Sequence, residues 1–102
     1  MLTFTSAAEQ TAWNLAEALS EKAFTAMKLA EEAAEAFRSG RVAMRQQFKA
    51  RGLSEVDASI RWKGTSQAQS ALADNEWYMA QAKMYNEAAA AQYAKALYLK
   101  GR

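Results

Sequence analysis

The chain has 102 residues with no cysteine, no histidine and no proline, and carries a net charge of +2. That length allows one domain with a modest core. Without cysteine there is neither disulfide nor thiol chemistry, and without histidine the usual zinc ligand and the usual general base are missing.

Alanine dominates, while valine, isoleucine and threonine are sparse. Alanine is the best helix former and proline the worst, so the composition predicts an all-α chain. Charge is unevenly spread. Residues 1–37 hold six acids against Lys22 and Lys28, a net of −4, and residues 38–63 hold seven cations against Glu55 and Asp57, a net of +5. Met1-Leu2-Thr3-Phe4-Thr5-Ser6 lacks a basic region followed by an apolar run, so no signal peptide is expected. No apolar stretch is long enough to span a bilayer, and a soluble cytoplasmic protein is the expectation.

Ser6-Ala7-Ala8-Glu9 has the capping-box pattern and opens the first helix. From there Ala8, Ala12, Leu15, Leu19, Ala23, Ala26, Ala30, Ala33 and Phe37 recur at helical spacing. Small side chains let a neighbouring helix come close. Trp13, Phe24 and Met27 lie beside the stripe and widen the apolar face. Gly40 either kinks the helix or marks a close contact, since Phe37, Gly40, Met44 and Phe48 continue the same stripe. One helix over about residues 6–51 is expected.

Gly52 fits the left-handed position just past a helix end, where only glycine escapes a steric cost. Arg45, Lys49 and Arg51 put cations near that end, where the helix dipole favours them. Leu53 is the apolar residue that packs back on such an end, and Ser54-Glu55-Val56-Asp57 starts the next helix with a second capping box. A tight turn at 52–53 follows.

The second helix is expected over about 54–100, with one ambiguity. It either runs through Gly64, or a short helix 55–63 precedes a long one from 66, capped by Ser66 with Gln69. Beyond that, Ala73, Trp77, Ala80, Met84, Ala88, Ala91 and Tyr98 form one apolar strip. Ala71, Tyr78, Ala82, Tyr85, Ala89, Ala96 and Leu99 form the next, and Glu76, Lys83, Glu87 and Ala90 mark the wet side. A face this broad points to burial against two neighbours.

Folding back at Gly52 gives an antiparallel hairpin in which residues whose numbers sum to about 105 are level, bringing Glu21 near Lys83 and Glu9 near Lys95. Two helices alone cannot bury both wide faces, so a dimer forming a four-helix bundle, or a larger homo-oligomer, is expected. Trp13, Phe24, Trp77, Met84 and Tyr85 are the expected buried anchors of the interface. Tyr78, Tyr85, Tyr93 and Tyr98 with Met79 and Met84 could instead line a ligand groove, but at this spacing they read as subunit interface.

Candidate chemistry is thin. Glu31, Glu32 and Glu35, or Asp74 and Glu76, supply carboxylates that read as a solvated helix face rather than a catalytic pair. The Glu-x-x-His metal motif of helical bundles cannot exist here. No metal or cofactor is expected, and the chain reads as non-enzymatic. Arg38, Arg41, Arg45 and Lys49 make a cationic ridge, which Arg61, Trp62 and Lys63 extend across the turn. An anionic-partner patch of Arg41, Arg45, Lys49, Arg51, Arg61 and Lys63, with Trp62 as a stacking platform, is the alternative, nucleic-acid reading.

Trp62-Lys63-Gly64 resembles the Trp-x-Gly signature of small secreted hairpins of Gram-positive bacteria. There the signature occupies the turn, whereas here it falls about ten residues beyond Gly52. That family's tyrosine with an acid four residues on is also missing after Tyr85, Tyr93 and Tyr98, so Trp62 is read as a core residue. A second resemblance rests on Arg51-Gly52-Leu53-Ser54-Glu55, on Trp62-Lys63-Gly64-Thr65-Ser66, on Ala73-Asp74-Asn75-Glu76-Trp77-Tyr78-Met79-Ala80-Gln81-Ala82 and on Tyr85. This run is similar to small proteins of unassigned function encoded by phages of actinobacteria. The resemblance implies a setting, a phage protein acting inside a host cell, and no activity or site residues. Contacts with a protein partner are expected on the outer helix faces.

Overall fold

A computed structural model describes residues 6–101 and shows an all-α helical hairpin of three helices. They are α1 (Ala7–Ala50), α2 (Glu55–Lys63) and α3 (Ser66–Lys100). The segment on which the absence of a signal peptide was read lies almost wholly outside the described residues.

Local chemistry sets each boundary. Ser6 Oγ accepts from the Glu9 amide at 3.1 Å, satisfying one orphan donor at the start of α1. At its end Gly52 takes φ +74°, its amide bonds Lys49 O at 3.0 Å, and the Leu53 amide bonds Phe48 O at 2.8 Å. Those two bonds are the Schellman pattern expected of that glycine. The Leu53 side chain remains about half exposed, so it packs back on α1 only in part. Ser54 caps α2, its side chain accepting from the Asp57 amide at 3.3 Å.

Helix α1 runs through Gly40 without a break. The glycine is a close-contact position: a Cβ there would clash with the Cη2, Cζ2 and Cζ3 carbons of the Trp62 ring. The second half takes the two-helix alternative, with the break at Gly64 and Thr65. The cap of α3 is Thr65, one residue earlier than the expected Ser66. Thr65 Oγ1 accepts from the Ala68 amide at 3.1 Å and donates to Trp62 O at 2.7 Å, closing α2 and opening α3 at once.

The chain divides into two compact units. The first joins residues up to Met27 with those from Met79 onward. Its described interior is a seam of Ala12, Ala16, Ala23 and Ala26 on α1 with Ala82, Ala89 and Ala96 on α3. Trp13 and Tyr93 meet edge to face at 5.1 Å between ring centroids, and Lys22 Nζ sits 5.8 Å from the centre of the Tyr85 ring. Residue numbers in these pairs sum to slightly more than 105, close to the expected register. The ion pairs Glu21–Lys83 and Glu9–Lys95 that this register suggests are not among those of the described residues. Lys22 takes the cross-helix place through an aromatic ring instead, and Glu9 is buried.

The second unit, Lys28–Tyr78, holds the turn, α2 and the start of α3. Its interior is Ala30, Ala58, Trp62, Ala68 and Ala71. Asn75 Nδ2 donates to the Ala30 carbonyl at 2.8 Å, a pair whose numbers sum to 105. Between Gly52 and Gly64 the register differs, because α2 is a separate short helix: Trp62 packs on Phe37 at 5.8 Å between centroids and covers Gly40.

Candidate functional site

In the first unit the buried alanines repeat every seven residues, Ala16 and Ala23 on α1 and Ala82, Ala89 and Ala96 on α3. Seven residues are nearly two helical turns, so these methyls form straight ridges that let two helices approach closely. Such a seam removes little apolar area per residue, and no large side chain of a described residue is fully buried. Apart from Trp62, no large apolar residue among those described is buried, and many are exposed. Leu15, Phe24, Met27, Met79, Met84, Leu97 and Tyr98 are exposed in the first unit; Val42, Leu53, Val56, Ile60, Leu72 and Trp77 are exposed in the second.

Of the two apolar strips on α3, the one through Ala71, Tyr78, Ala82, Tyr85, Ala89, Ala96 and Leu99 is the strip turned inward. Most of the other strip faces out, through Ala73, Trp77, Ala80, Met84, Ala91 and Tyr98. On α1 the inward stripe keeps Ala12, Leu19, Ala23, Ala26 and Ala30 but takes Ala16 and Glu9 in place of Leu15 and Ala8, which are exposed.

The five expected anchors divide accordingly. Trp13 and Tyr85 are half-buried within their own chain: Trp13 against Tyr93 and hydrogen-bonded through Nε1 to Glu17 at 2.8 Å, Tyr85 beneath Lys22. Phe24, Trp77 and Met84 are 70%, 61% and 50% exposed. They are surface residues of the single chain.

The basic residues are likewise sorted by the fold. Arg38 binds Glu31 at 2.6 Å and Glu35 at 2.9 Å, and Arg45 lies 3.8 Å from Glu55. Hydrogen bonds from Arg38 first, then from Ser39, then the Arg38 charge hold the Glu35 carboxyl below the usual glutamate range. Bonding to Glu31 and then to Glu35 raises Arg38. Arg41 is half-buried, and its Nε has no hydrogen-bond partner. Lys49, Arg51, Arg61 and Lys63 are exposed. Trp62, only 5% exposed, is a core residue and offers no free face for stacking a base. Of the two readings of Trp62, core residue and stacking platform, the fold takes the first, because α2 turns this face of its nine residues toward Gly40 and Phe37.

Among the described residues there is no cluster of acids able to hold a metal ion, and no helix is long and apolar enough to cross a membrane. No family model, curated protein or solved structure matches the chain.

Proposed function

We propose that this chain is a non-enzymatic helical protein that self-associates and works through protein–protein contacts. One observation carries the reading: among the described residues every buried apolar residue but Trp62 is an alanine, while thirteen large apolar residues are exposed. A chain folding for itself alone gains most by burying its largest side chains, each worth about 1.5–3 kcal/mol when fully covered. Here Phe24 and Met84 in one unit and Trp77 in the other stand uncovered, while alanines occupy the seam. Exposed apolar surface of this kind marks an interaction site. By its resemblance to the actinobacterial phage proteins, the setting we assign is the host cytoplasm, with the chain as a phage accessory protein.

Sedimentation velocity over a micromolar concentration series tests the assembly. A mass of two or more chains is expected; a monomer throughout would sink the proposal. The nucleic-acid reading keeps Lys49, Arg51, Arg61 and Lys63 as its free cations but loses Trp62. Salt-titrated DNA and RNA binding separates it, because phosphate contacts give a steep salt slope and a protein-binding hairpin gives none.

A further inference from the structure

The Lys28–Tyr78 unit carries two charge zones and a groove between them. Residues 41–63 hold six cations against Glu55 and Asp57, a net of +4. Residues 28–40 and 64–78 together hold Glu31, Glu32, Glu35, Asp74 and Glu76 against Lys28 and Arg38, a net of −3. The groove is lined by Ala36, Gly40 and Ala43 on one side and by Trp62 and Gln67 on the other, with a volume of about 560 Å³. A shallower extension through Ala36 and Gln67 reaches Ser70 and Asp74 in the acidic zone. Trp62 lines this groove, and its buried indole Nε1 has no hydrogen-bond acceptor.

We propose that two copies of this unit dock antiparallel across the groove, about a two-fold axis, with the basic turn of each over the acidic zone of the other. This rests on the self-association reading above. A two-fold interface is self-complementary, so the patch that docks must match its own rotated image. The antiparallel arrangement meets that condition twice, setting +4 against −3 at both ends. A parallel arrangement sets +4 on +4 and −3 on −3, and like charges across an interface select against it. The axis falls at the groove, where the exposed Ala36 and Ala43 allow the two α1 backbones to come close. With Ala36 opposite Ala43 of the second copy, α1 positions whose numbers sum to about 79 are level. Glu32 then lies within about one helical turn of the second copy's Lys49 and Arg51. Glu32, Asp74, Lys49 and Arg51 are all exposed in the single chain and free to pair.

The chain has no cysteine, so one introduced label site is unique. Ala50→Cys, exposed and uncharged near the end of α1, takes a nitroxide for pulsed electron–electron distance measurement. The antiparallel dimer places the two labels about 30 Å apart, from 1.5 Å of rise per residue on either side of the axis. A parallel dimer brings them within about 20 Å, since packed helix axes lie about 10 Å apart. A second arm reverses charge. Lys49→Glu with Arg51→Glu is expected to weaken self-association tenfold or more. Adding Glu32→Lys and Asp74→Lys to the same chain is expected to restore it, with circular dichroism confirming the helices throughout. Labels within 20 Å, or no rescue in the fourfold variant, overturn this arrangement and leave self-association standing. A monomeric parent chain overturns both.

Discussion

Asn75 reaches across from α3 to α1 and donates its side-chain amide to the carbonyl oxygen of Ala30 at 2.8 Å. It stands where the repeat through Ala68 and Ala82 would place another alanine. Alanine ridges are uniform along their length, so one seam can slide on another with little change in contact. A single polar residue with one partner breaks that degeneracy, as a buried asparagine does in coiled coils.

Replacing Asn75 therefore tests register as well as stability. Asn75→Ala is expected to cost about 1 kcal/mol, the net value of one hydrogen bond, in urea unfolding at fixed protein concentration. Asn75→Asp should cost more at neutral pH, because a carboxylate would face a carbonyl oxygen. Its carboxyl is then raised in the folded state, so the variant regains stability as pH falls and the protonated oxygen can donate. A pH-independent deficit in Asn75→Asp would show that the side chain does not face Ala30.

Gly40 and Trp62 are coupled by contact. Gly40→Ala normally gains about 1 kcal/mol of helix propensity, but here its Cβ meets the indole ring. Overpacking is expected to win, with a net loss of about 1–3 kcal/mol. In a Trp62→Leu background the same substitution should become neutral or stabilising. The double-mutant cycle measures that reversal directly.

Thr65 serves two helices through one hydroxyl. Thr65→Val keeps the shape and removes both bonds, and a loss of about 1–2 kcal/mol is expected. Thr65→Ser should lose much less. At this chain length each kcal/mol corresponds to about 4–8 °C in Tm, within reach of calorimetry.

Glu35 titrates low because the folded helix presents Arg38 and Ser39 to it. A carboxyl whose pKa is depressed on folding contributes stability that is complete above its unfolded value and is lost as pH falls through its folded value. The site is solvent-exposed, so the effect on global stability is expected to be small. Carbon-detected NMR of the glutamate carboxyls should show Glu35 titrating below the ordinary glutamate range. Arg38→Met should return it toward the ordinary range.

Much of the fold was legible from residues alone, for reasons confined to a few neighbouring positions. Ser6, Gly52 and Ser54 act on amides and carbonyls within one helical turn, so their roles follow from their identity. The all-α class follows from alanine without proline, and the hairpin register follows from the placement of Gly52. The cap of α3 was misread by one residue, because Thr65 and Ser66 carry the same hydroxyl and only the path of α2 selects between them. Which strip of α3 turns inward was equally open: Trp77 and Met84 lie on one, Tyr78 and Tyr85 on the other, and both are apolar at helical spacing.

Those choices belong to the tertiary structure. Trp62 became a core residue because Gly40 leaves room for its ring, a fact carried by two positions far apart in the chain. Arg38 was withdrawn from the cationic ridge by Glu31 and Glu35, while Lys49 and Arg51 remained free. The turn at Gly52 was determined by the sequence itself, since a left-handed glycine and a serine cap need no distant partner. The filling of the seam by alanines, with Trp62 the one large apolar residue buried among those described, was decided only when the helices met, because close helix approach rewards small residues and Gly40 leaves room for one large ring.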